Sequence, residues 1–253
     1  INYLPPTTRQ HLYSLSGMYP YATQVNGEIG LMGELTFRLA RDSRLGGPFG
    51  TTVGLYYSQA NAIKRDLLYN PETETAFGPD GYRANLFQMG DELYFRDFHV
   101  EINRRFSRNF RAMFSYVFIT YNQNVIEGYL DKEMVYAHTA IADMSLRLPG
   151  RRSLRWEVQH LATRQDKGNW AMLLAEYSIA PSWFFSVSDQ YNYGNDDPGQ
   201  RIHYYSLSAG YNQGASRLSL AWGRQREGIV CIGGVCRMVP AANGLTLNLS
   251  SSF

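Results

Sequence analysis

The sequence predicts an all-β protein: an antiparallel transmembrane β-barrel of the outer-membrane type, with about twelve strands within residues 1–253. Three observations lead there. Apolar and polar residues alternate with period two from end to end. The links between the alternating segments are short and long in turn. Aromatic residues, 14% of the chain with 19 Tyr, 13 Phe and 4 Trp, gather near segment ends, where girdles at two membrane interfaces would place them.

The segments follow in order. Gln10–Gly17 carries the weakest alternation and is the first expected strand. Ile29, Leu31, Leu35, Phe37 and Leu39 oppose Glu28, Glu34, Thr36 and Arg38. Phe98, Val100 and Ile102 oppose Asp97, His99, Glu101 and Asn103. Ala140, Ala142, Met144, Leu146 and Leu148 oppose Thr139, Asp143, Ser145 and Arg147, and then Leu154, Trp156 and Val158 oppose Arg155, Glu157 and Gln159. Tyr205, Leu207, Ala209 and Tyr211, then Leu218, Leu220 and Trp222, then Leu245, Leu247 and Leu249 complete the pattern. Most segments run to about 9–13 residues, which suits a tilted membrane strand better than the usual soluble strand of ~5–6.

The links decide between barrel and sandwich. Ser107–Asn109, Pro149–Arg152, Ala180–Ser182 and Gly214–Ser216 are tight turns. Between them fall Lys64–Asp91, Gln123–Glu133, Gly194–Arg201 and Ile229–Asn243, with Gln165–Asn169 the one short member of that set. Short turns on one side and long loops on the other suit an up-and-down barrel, whereas Greek-key crossovers break this order. No run approaches the roughly 18 apolar residues of a membrane helix, so any crossing rests on strands. In hydrocarbon, backbone groups must pair internally, which leaves closed barrels as the strand solution.

A formal charge of +2 gives no argument for nucleic acid as a partner. The chain opens on Ile1-Asn2-Tyr3, neither an initiator Met nor a signal peptide, so the expectation is processing or a longer polypeptide. Cys231 and Cys236 flank Gly233-Gly234, which lets the chain reverse; a disulfide across a tight turn is the preferred reading, with two free thiols the alternative.

The run Gly223–Pro240 with its two cysteines, Tyr191-Asn-Tyr-Gly-Asn-Asp-Asp197, Lys167-Gly-Asn-Trp170 and Asn2-Tyr-Leu-Pro5 resemble an uncharacterised domain-of-unknown-function family of Bacteroidota outer-membrane barrels. The resemblance covers essentially the whole chain. It implies one barrel domain over 1–253 that forms the C-terminal half of a protein about twice as long, located in the bacterial outer membrane. It assigns no activity to any residue. The closing aromatic strand to Phe253 is similar to the C-terminal assembly signal of outer-membrane proteins.

Ten charged residues fall on the polar face: Glu34, Arg38, Asp97, His99, Glu101, Asp143, Arg147, Arg155, Glu157 and Glu176. Their mixed signs suggest cross-strand ion pairs bracing a lumen, and a selective pore lining is the other reading. Asp97, His99 and Glu101 share one face, but residues two apart lie nearly 7 Å apart along a strand, wide for a shared metal. Asp189 and His203, with Ser188 nearby, allow a rim dyad that no motif supports. The sequence therefore predicts no catalytic, cofactor or metal site. Partners are outer-membrane lipid and lipopolysaccharide, with Arg224, Arg226 and Arg237 at the rim, and other outer-membrane proteins or lipoproteins. Two functions follow: a non-catalytic scaffold or subunit of an assembly or export complex, or a passive porin.

Overall fold

The computed structural model describes residues 8–24, 27–67, 82–232 and 235–251. Its strands are β1 (Glu28–Leu39), β2 (Thr51–Leu67), β3 (Tyr82–Arg105), β4 (Phe110–Tyr121), β5 (Val135–Leu148), β6 (Arg152–Ala162) and β7 (Trp170–Ile179). These are followed by β8 (Trp183–Tyr191), β9 (His203–Gln213), β10 (Ser216–Gln225), β11 (Gly228–Ile232), β12 (Val235–Val239) and β13 (Ala242–Ser251).

Eleven of them form one antiparallel sheet in the order β1 to β10 and then β13, so every strand lies beside its sequence neighbour. β11 and β12 form a separate hairpin between β10 and β13, and β11 rests against residues 16–18. The all-β, antiparallel expectation is met. Closure is not: β1 and β13 are the two edges, and among the described residues no ladder joins them.

Period-two patterning sets the faces. In β5, Val135, Ala137, Thr139 and Ile141 are buried while Tyr136, His138 and Ala140 are exposed. From β4 to β6 the register carries this from strand to strand, with Val117 opposite Thr139 and Thr139 opposite Leu161; the β2–β3 ladder shifts register beyond Ala60. A one-residue slip would exchange the two faces of every strand. The buried face is polar over much of its area, with Ser58, Asp97, His99, Ser115, Thr139, Glu157 and Gln159 all enclosed. The opposite face is apolar and exposed, including Leu35, Phe98, Phe114, Val158, Leu173, Val187, Leu207, Leu220 and Leu247. This reverses the usual arrangement of a water-soluble sheet.

Three expectations change. Gln10–Gly17 is not a strand: it lies unpaired against the inner face and runs into a 3-10 turn at Ser16–Met18. Lys64–Asp91 is not all loop, because β2 runs to Leu67 and β3 begins at Tyr82, with Leu67 opposite Tyr82. The third concerns the tight-turn end, which also carries an eleven-residue link, 40–50, between β1 and β2. That loop is tied down locally: Ser43 Oγ donates to Ala40 O at 2.7 Å and accepts from Gly46 N, and Thr51 Oγ1 donates to Gly46 O at 3.0 Å.

Candidate functional site

The most elaborate polar construction is the contact between residues 8–24, here termed the strap, and the inner face of the sheet. Successive strap residues reach different strands. The Arg9 guanidinium lies 3.8 Å over the Tyr56 ring of β2 and donates to Glu101 of β3 at 3.4 Å. His11 Nε2 meets Asp97 Oδ2 at 2.7 Å, with its ring 5.4 Å from that of His99. Tyr13 donates its hydroxyl to Asp143 of β5 at 2.9 Å, and Gln190 of β8 donates to Ser14 Oγ at 2.9 Å. The backbone N–H of Leu15, which has no neighbouring strand, donates to Gln159 Oε1 of β6 at 2.8 Å. Tyr13 and Ser14 point to β5 and β8, three strands apart, so the sheet curls around the strap.

Apolar packing adds to these bonds. Leu15 is completely buried, and Tyr19 packs against Tyr121 while its hydroxyl donates to Asp166 at 3.1 Å. Tyr21 stacks on Phe95 at 5.2 Å and bonds Glu28. Burial, with Asp143 beside Tyr13 and Asp166 beside Tyr19, pushes both hydroxyls well above the ordinary tyrosine range, so they remain donors.

The ten predicted inner charges separate into groups. Asp97, His99 and Glu101 face the strap: His99 Nε2 lies 2.6 Å from Ser115 Oγ, and the two carboxylates are engaged by His11 and Arg9. Asp143, Arg155, Glu157 and Glu176 form one cross-strand network. Arg155 contacts Asp143 at 2.9 Å and Glu176 at 2.6 Å, and also pairs with Glu157, which bonds Gln159. Register explains the network, since Asp143 lies opposite Glu157 and Arg155 opposite Glu176. Glu34, Arg38 and Arg147 form no ion pair among the described residues; the cross-strand network takes Asp143, Arg155, Glu157 and Glu176, and Asp97 and Glu101 pair with the strap instead.

On the outer face His203 Nδ1 meets Asp189 Oδ2 at 2.7 Å, and Tyr191 stacks on His203 at 3.9 Å. Ser188, one residue from Asp189, turns to the opposite face, so no Ser-His-Asp array forms. The same rim holds two more histidine–tyrosine pairs, His138 with Tyr116 at 2.7 Å and His160 with Tyr193 at 2.6 Å. At the other end of β8, Trp183 packs on Tyr211 and Phe185. From Trp183 to Tyr191 the strand covers ~26 Å.

Cys231 lies opposite Cys236 in the β11–β12 register, but Gly233, Gly234 and both cysteine side chains fall outside the described residues. So does Phe253, and nothing of its role is visible. Arg224 lies 5.7 Å from the Tyr204 ring. Burial holds the Arg226 guanidinium below its ordinary pKa range, and the side chain of Arg237 is outside the described residues.

The sequence pattern of a family of unknown function, DUF6029, matches residues 1–253. The chain belongs to that family. No curated protein matches it. The match agrees with the expectation, carried by Gly223–Pro240 and Tyr191–Asp197, of a family of unknown function; it speaks to neither source nor membrane location, and it brings no assigned chemistry to any of the residues above.

The strap is the feature of the candidate site that alternation did not reveal. A signal was present: Arg9, His11 and Tyr13, spaced two apart, complement Glu101, Asp97 and Asp143 in polarity and charge.

Proposed function

We propose that the chain is wall of an outer-membrane-type transmembrane β-barrel, acting as a non-catalytic scaffold or subunit of an outer-membrane assembly or export complex. The reversed sheet supports the membrane part. A belt of exposed Leu, Val and Phe on one face and enclosed carboxylates, amides and hydroxyls on the other is the polarity that hydrocarbon outside and water inside demand. The aromatic clusters at either end of β8 suit two interfaces, with Phe185 and Val187 between them. In this reading the outer face meets lipid, and lipopolysaccharide borders the long-loop rim.

The scaffold part rests on the strap. A solute channel keeps its lumen open, whereas here Arg9 to Tyr21 are fastened across strands β2 to β8 by ion pairs, hydrogen bonds and a fully buried Leu15. The competing porin reading draws on a cavity of about 740 Å³ beside the strap.

Planar-bilayer conductance of the full protein separates the two. The intact protein should be silent. The variant combining His11→Ala, Tyr13→Phe and Leu15→Ala should show discrete opening steps, because the strap loses its anchors to β3, β5 and the core. Steady, weakly selective openings of the intact protein would make the porin reading primary.

A further inference from the structure

We infer that the tight-turn end of the inner face is a binding site for a phosphate-bearing anion. The cavity there, about 740 Å³, is lined by Arg9, Arg38, Arg41, Arg105 and Arg111 from the strap, β1, the 40–50 loop, β3 and β4. Of its lining carboxylates, Glu101 is taken by Arg9 and Asn103, and Asp143 by Arg155 and Tyr13. Arg38, Arg41, Arg105 and Arg111 form no ion pair among the described residues.

Their local bonds leave the charge uncompensated. Arg38 Nη2 donates to Phe49 O at 3.3 Å, and Arg105 donates to Ser107 O and Arg108 O at 3.0 and 2.8 Å. Arg105 and Arg111 are direct cross-strand partners, a like-charge pairing that disfavours the sheet unless something negative lies between or above them. The braced network shows that this fold places carboxylates opposite arginine elsewhere, at Arg155; at the turn end it does not.

Guanidinium forks match the paired oxygens of phosphate and bind them bidentately, in a way a lysine cluster does not. The bonds from Ser43 and Thr51 hold the 40–50 loop, which carries Arg41 and Phe49, and so limit the ordering cost of binding. Leu12, Phe49 and Met113 line the same cavity and would face the uncharged body of a ligand larger than phosphate itself. The ligand's phosphate could belong to a soluble compound or to a lipid headgroup. The site rests on the inner face alone and stands whether or not the barrel conducts.

The test is isothermal titration of the full protein in detergent, with sodium pyrophosphate in one arm and dihexanoylphosphatidic acid in the other. Saturable binding of pyrophosphate, weakened at least about tenfold in R38Q/R111Q and unchanged in R217Q, supports the site with a soluble ligand. Binding of the lipid alone, with the same dependence on the variants, supports it with a lipid source. Phenylglyoxal labelling read by mass spectrometry gives a measure that needs no variant: the bound anion should protect Arg38 and Arg111 and leave Arg217 reactive. Absence of binding in both arms, or binding that R38Q/R111Q leaves intact, overturns the inference.

Discussion

Arg155 shows how much one inner residue carries. Its guanidinium serves Asp143, Glu157 and Glu176 on three adjacent strands, and Tyr13 of the strap also donates to Asp143. Substituting Arg155→Leu leaves three carboxylates with one cation fewer in a partly enclosed site. Breaking a fully buried pair costs about 3–5 kcal/mol. The Arg155 side chain is 33% exposed, so solvent screening lowers the expectation to about 2–3 kcal/mol. Urea unfolding with lipid vesicles measures it, and an unchanged midpoint would mean that the network carries no net stability. The network was legible as residue types and as mixed signs on one face. Its membership was not, because only register shows that Arg155 lies between Ser145 and Glu176.

Elements were legible wherever alternation was regular. β5, β9, β10 and β13 fall where Ala140–Leu148, Tyr205–Tyr211, Leu218–Trp222 and Leu245–Leu249 alternate, because one face is uniformly apolar. The strap was misread for a physical reason: Arg9, His11 and Tyr13 also alternate, yet their partners are side chains of the wall, so the segment is extended without a ladder. Close packing was invisible as well. A Cβ on Gly210 would lie 2.0 Å from the Phe184 ring, so that inner position admits only glycine while Phe184 stays in place. The facing assignment is testable on β13, whose Leu247 lies opposite Leu220 and whose Asn248 lies opposite Ser219. In a membrane, Leu247→Arg near the midplane should cost roughly 2–4 kcal/mol of folding free energy and Asn248→Arg little. Equal costs, measured by urea titration into vesicles, would reverse or abolish the assignment.

At the scale of the molecule, strand parity constrains how the sheet would close if it forms the proposed barrel. Eleven strands, each antiparallel to the next, leave β1 and β13 running in the same direction. A direct seam between them would be parallel, so an antiparallel seam requires an odd number of further strands between the two edges, giving the even total usual for such barrels. Both edges are long, at 12 and 10 residues, and both present exposed leucines outward, which an unprotected edge in water avoids. If the sheet belongs to an antiparallel barrel as proposed, parity predicts that β1 and β13 are not hydrogen-bonded neighbours. In a background with Cys231 and Cys236 replaced by Ser, cysteines at Leu35 and Leu247 treated with a short bismaleimide should give no intramolecular cross-link, and moving the second cysteine to Leu245 or Leu249 should not change that. Efficient cross-linking of any of these pairs would establish a direct parallel seam between β1 and β13 and an odd strand count.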